Sequence, residues 1–213
     1  MIAHHIHDAL AQVRTLRAFL IERNRFKGYS GRARIVAGFA ALAGTLALGS
    51  ERIHADPWLH LFGWGIVLAV GVAANYAALL YWFLFDPEVR RNPLMLKPAL
   101  DALPALAAGG VLSLALVLKG EFDLLFGVWM CLYGLAQVAY RNALPAGIYR
   151  VGVFYLVAGT VCLLWPGISF VEPWPMGLVF VSGEFAGGAV LMKDQCRRTG
   201  EVKVEGQNEP DNE

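Results

Sequence analysis

The chain has 213 residues, of which 57% are apolar and 16% charged, with a mean hydropathy of +0.50. An ordinary soluble domain is about 45–50% apolar and about 25% charged, so these values exclude a disordered chain, a nucleic-acid-binding domain and a disulfide-rich secreted module. They point to an all-α integral membrane protein, and the formal net charge of +1 conceals a very uneven distribution of its charges.

The first 34 residues form a basic segment expected to stay in the cytoplasm. Within it, residues 8–27 read as an amphipathic interfacial helix, with Leu10, Val13, Leu16 and Leu20 on one face and Arg14 and Arg17 largely elsewhere. Such a helix lies at the anionic inner leaflet or docks a protein partner. His4, His5 and His7 are too few for a metal site and read as a terminus. No short leader with a small-residue cleavage site precedes the first apolar run, so that run is expected to remain as an anchor.

A helix crossing a hydrocarbon core of about 30 Å needs about 20 mostly apolar residues. Six runs qualify, at 35–53, 58–85, 98–118, 122–140, 150–165 and 175–192. The first, fifth and sixth are short, and snorkelling of Arg34, Arg150 and Lys193 is expected to extend them. Residues 35–192 thus read as one six-helix transmembrane domain, and 193–213 as a disordered cytoplasmic tail. The loops alternate in charge. Those on one side carry 16 Lys and Arg, and those on the other carry Arg52 and Lys119 alone. Lys and Arg excess marks the cytoplasmic side, so both termini are expected inside, with the protein in the plasma (inner) membrane. Trp58, Trp165 and Trp174 mark the outer edges, and Tyr81, Trp82, Tyr140 and Tyr149 the inner ones.

Polar residues within spans carry what chemistry there is, because a mid-membrane charge costs about 2.5–3.5 kcal/mol on insertion scales. Glu184 sits at the centre of the last span. Gly183, Gly187 and Gly188 beside it form a close-packing face. A carboxyl at that depth favours its protonated form, which can donate a hydrogen bond or carry a proton. Asn75 is the partner expected from depth, with Ser182, Thr45 and Thr160 as further contributors. Asp101 and Arg150 are expected to pair near the inner interface, with Gln137 at similar depth. Pro104 is expected to kink the third span. At the outer edge, Glu121 and Asp123 read as solvated, and His54, His60 and Asp56 as ordinary loop residues. Cys131, Cys162 and Cys196 predict no disulfide. No metal set, cofactor motif, GxSxG, HExxH or P-loop occurs.

The spans read as three helical hairpins. Residues 61–76 align without gaps to 125–140, sharing Leu-Phe-Gly, a Leu and a final Tyr. Ala43-Gly44-Thr45 recurs as Ala158-Gly159-Thr160, and Asp56-Pro57-Trp58 as Glu172-Pro173-Trp174. A parallel three-hairpin repeat follows.

The second half carries Phe126-Gly127 to Gly134, a basic inner turn, Val153 to Gly159, Trp165-Pro166-Gly167 closing the span, and Gly183 in the next helix. In this pattern residues 125–192 resemble the HdeD-like short-repeat membrane proteins. The resemblance implies a six-span protein of a family partly linked with acid resistance, and no catalytic residues. The expectation is therefore a non-enzymatic membrane protein with a structural, stress-response or complex-subunit role. It has lipid, a partner through residues 8–27 or a second copy as its contacts, and no cofactor. The alternative is a small proton-coupled permease using Glu184, Asn75 and Asp101.

Overall fold

The computed structural model describes residues 28–51, 53, 55–85, 103–139 and 144–207, without the side chains of Leu103 and of residues 198–207. The amphipathic segment 8–27, the terminal histidines, His54, the loop 86–97 and Asp101 lie outside them. The described residues are helical throughout, joined by short turns. Helix α1 spans Gly31–Leu48, α2 Pro57–Phe85 and α3 Leu103–Lys119. A 3₁₀ turn, Phe122–Leu124, leads into α4, Leu125–Ala139, followed by α5, Ala146–Leu164, and α6, Trp174–Gln207. Five of these stretches are long and apolar enough to cross a membrane, and α3 is a shorter apolar helix.

Local chemistry sets the boundaries, and it moves several of them from the expected positions. The first helix runs from 31 to 48 rather than from 35 to 53. Ser30 caps it by accepting from the Ala33 amide at 3.4 Å, and Gly49 closes it. Arg34 therefore lies within the helix instead of reaching back from its edge. At the start of α2, Pro57 takes the first helical position, where its missing N–H costs nothing, and the Asp56 carboxylate accepts from the Trp58 amide at 3.1 Å. Pro104 likewise falls in the first turn of α3 as described, Leu103–Lys119, where its missing N–H interrupts no bond within the described helix. The last helix continues far beyond residue 192, and residues 193–207 are helical rather than a disordered tail. No proline stands between Pro175 and Pro210 to stop it.

Two pairs of helices make the closest contacts, α4 with α5 and α1 with α6, and α2 packs on α1. Glycine makes the α4–α5 approach close. A Cβ on Gly134 would lie 2.7 Å from the Gly152 carbonyl oxygen, and one on Gly127 would lie 2.9 Å from that of Gly159. The two antiparallel pairs sit seven residues apart on each helix, which keeps both on one seam. At one end of the α1–α6 seam, Gly31 and Gly188 meet in the same way. Neither tight pair lies inside one of the hairpins expected as repeats. Gly63 and Gly127, equivalent in the repeat alignment, meet different neighbours: Leu48 of α1 and Leu163 of α5.

The larger core cluster lies towards the short-loop end, around Trp64, Leu125, Phe126, Met130, Phe170 and Met176. Asp123 organises this end. Its Oδ1 accepts from the Phe170 amide at 2.7 Å and from Ser169 Oγ at 3.2 Å, pinning the segment 165–173 over the core. Asp123 is exposed, as expected of a loop charge, and also serves as a structural acceptor. A smaller cluster of Leu144, Ile148 and Leu191 closes the other end, with Leu79 and Trp82 against it. Between these layers the outward faces are apolar, including Phe62, Ile66, Leu80, Val111 and Val157, as lipid contact requires.

Candidate functional site: a buried charge centre

Four helices converge on Glu184. It lies about 15 Å below Trp174 along α6, at 1.5 Å per residue, and is 2% exposed. Glycines on either side of it let neighbouring helices come close. A Cβ at Gly183 would collide with the Tyr155 ring, and one at Gly187 would lie 2.5 Å from the Arg34 guanidinium carbon. Gly188 meets Ile35 and the Gly31 carbonyl. The three glycines singled out in the sequence therefore face α5 and α1, Gly183 and Gly187 against side chains and Gly188 against backbone as well.

Arg34 of α1 meets Glu184 with two parallel bonds. Its Nε donates to Oε2 at 3.0 Å and its Nη2 to Oε1 at 2.8 Å. This is the fork-to-fork geometry that only a guanidinium provides. Oε1 also accepts from Tyr133 Oη at 2.8 Å and from Tyr155 Oη at 3.1 Å, from α4 and α5. The two phenol rings stand at 90° with centroids 5.0 Å apart, and both pack on Phe180 of α6. The hydroxyls are thus held by ring packing before they donate. Gln137, one turn beyond Tyr133 on α4, turns its Oε1 to Arg34 Nη1 and Nη2, each at 3.3 Å.

The orientation of that amide is fixed by chemistry. A guanidinium offers only donors, so the Gln137 oxygen must face it. The Gln137 Nε2 then points away, and it is buried with no hydrogen-bond partner among the described residues. Arg34 and Gln137 are 6% and 5% exposed, and Tyr155 is fully buried. The centre carries one positive and one negative charge, so it is neutral as a unit. It can fix four helices in one arrangement, and it presents one unused donor.

The sequence pattern pairs Glu184 with Asn75. The structure pairs it with Arg34, and Asn75 Nδ2 instead donates to the Gly71 carbonyl of its own helix at 2.9 Å. Ser182, Thr45 and Thr160 likewise bond to carbonyls one turn back on their own helices. A hydroxyl that satisfies itself locally has no need of a distant partner. Arg150 is exposed, and the partner expected for it at the inner interface, Asp101, lies outside the described residues. Gln137, expected only to share a depth with Asp101 and Arg150, lies next to Arg34. Arg34, Tyr133 and Tyr155 were missed as partners of Glu184. The usable signals were Ser30 before Gly31, which places Arg34 one turn inside a span, and the four-residue spacing of Tyr133 and Gln137.

Among the described residues no group of three or more His, Cys, Asp or Glu could hold a metal ion. Cys131, Cys162 and Cys196 are free. Comparison with protein-family models, with curated proteins and with solved structures found no match to the chain.

Proposed function

We propose that this is a non-enzymatic protein of the inner membrane, with both termini cytoplasmic and a structural, stress-response or complex-subunit role. The observation that carries the reading is the closure of the charge centre. Both oxygens of Glu184 are bonded, and its counter-charge comes from the protein itself, so the carboxylate is committed to holding α1, α4, α5 and α6 together. A carboxylate serving ion passage needs water and an uncommitted oxygen. The split of Lys and Arg between alternate loops supports the orientation, and the resemblance of residues 125–192 to HdeD-like proteins supports a six-span, non-catalytic role. Residues 8–27 are the segment through which a partner would dock.

Proton-coupled transport is the second reading, and the buried Gln137 Nε2, a donor with no acceptor among the described residues, is what favours it. A carboxyl-reactive carbodiimide applied to the protein in lipid vesicles separates the two. The structural reading expects Glu184 unmodified from pH 5 to pH 9. Modification that rises at either end, with proton uptake lost in Glu184→Gln, replaces it with the transport reading.

A further inference from the structure

The outward face of α2 carries an open apolar groove of about 510 Å³, lined by Trp58, Leu61, Phe62, Gly65, Ile66 and Ala69. Two neighbouring rows of the helix build it, each at four-residue spacing. Trp58, Phe62 and Ile66 form a bulky row, and Leu61, Gly65 and Ala69 form the row beside it. The floor lies where the second row turns small, and a Cβ on Gly65 would meet nothing within 4 Å. From Trp58 to Ala69 the helix rises about 16 Å, at 1.5 Å per residue. Half of a hydrocarbon core of about 30 Å is about 15 Å, so the groove is as long as one leaflet is deep.

The mouth of the groove is aromatic and acidic. Trp58 is exposed, and its ring stands edge to face with Phe122 at a centroid distance of 5.5 Å. The exposed Asp56 is tied to the same point, because its Oδ1 accepts from the Trp58 amide at 3.1 Å. The loops at this end carry five Asp and Glu against Arg52 and Lys119. An anionic head is repelled there and a cationic group is drawn in.

We propose that this groove is a binding site for one phospholipid with an ammonium head, phosphatidylethanolamine, from the leaflet at the short-loop end. One acyl chain lies over Gly65 and Ala69, alongside Phe62 and Ile66. The ammonium donates to the Asp56 carboxylate and rests against the Trp58 ring, since a cation is attracted to an indole face. An apolar cleft with a few polar groups fixing one end is the usual form of a small-molecule site. A second copy of the chain fits less well: the exposed Phe62 and Ile66 stand beside the small row and hold a helix off it, whereas an alkyl chain is thin enough to lie along it. The site depends on neither the orientation of the chain nor the role proposed for it.

The test uses the full chain, delipidated in detergent and titrated with dioleoyl-phosphatidylethanolamine or dioleoyl-phosphatidylglycerol, with bound lipids counted by native mass spectrometry. The expected result is one tightly held phosphatidylethanolamine per chain. Its affinity should fall about threefold in Asp56→Asn, which removes one exposed charge contact. It should fall about tenfold in Gly65→Leu, whose side chain fills the floor. Binding of phosphatidylglycerol should be the same in all three proteins. Asparagine also caps a helix, so Asp56→Asn keeps the start of α2 and decides alone where Gly65→Leu does not fold. Phosphatidylethanolamine binding that is unchanged in either folded variant, or that falls only in step with phosphatidylglycerol, overturns the proposal. A two-chain species that disappears in Gly65→Leu gives the groove to a second copy and overturns it as well.

Discussion

Arg34 Nε and Nη2 reach separate oxygens of Glu184, at 3.0 and 2.8 Å, across 150 residues of sequence. The pair joins the first described helix to the last. Removing one partner leaves a buried charge unanswered, and that typically costs about 3–5 kcal/mol. Arg34→Met and Glu184→Met should each lower stability by that order. The double variant should lose less than either alone, because no charge remains. Reversible unfolding in mixed micelles checks this, and strictly additive losses would show the pair to be uncoupled.

Tyr133→Phe and Tyr155→Phe each remove one donor to Glu184 Oε1 and keep the ring packing. Hydrogen bonds to a charged group contribute about 1.5–3 kcal/mol in water-soluble proteins, and polar contacts between membrane helices average about 0.6 kcal/mol. Each variant should lose between about 0.6 and 3 kcal/mol. The double variant should lose less than the sum, since the two hydroxyls share one acceptor atom. The same unfolding assay reads both.

The glycine seam gives a prediction with its own control. Gly134→Ala and Gly152→Ala would each push a methyl against a backbone carbonyl, at 2.7 and 2.9 Å. Overpacking of this kind costs about 1–3 kcal/mol. A methyl added at Gly65 or Gly110 would meet nothing within 4 Å, so Gly65→Ala and Gly110→Ala should change stability little. Equal effects in the two sets would argue against the α4–α5 approach.

Orientation can be read from a native thiol. Cys196 is exposed at the end of the bundle away from the short loops, while Cys162 is buried. With both termini cytoplasmic, a membrane-impermeant maleimide should label Cys196 only after cells are permeabilised. Glu121→Cys, in an exposed turn at the opposite end, should be labelled in intact cells. The reverse pattern inverts the proposed topology.

Much of the architecture was legible because bilayer thickness and loop charge act on composition alone. Apolar runs separated by turns mark the helices whatever their packing. Glu184 stood out for the same reason, as the one carboxylate in the middle of its span. Its partner did not. Arg34 falls in a headgroup region when the start of α1 is placed four residues late, and depth then favours Asn75. Hydropathy places residues along the membrane normal and carries no information on rotation about it. Which helix faces which is decided by close contacts such as Gly187 against Arg34 and Gly183 against Tyr155. For the same reason the tight α1–α6 pairing, between helices far apart in sequence, could not be read from local pattern.

The distance along the chain between Arg34 and Glu184 also sets an order of events during synthesis. Chains grow at about 5–20 residues per second, so Arg34 exists for roughly 8–30 s before its carboxylate is made. During that interval the nascent bundle holds an unmatched cation in its first helix. A chain stopped before α6 lacks the neutralising group altogether, so loss of the last helix leaves the first with a cation that the remaining helices do not neutralise.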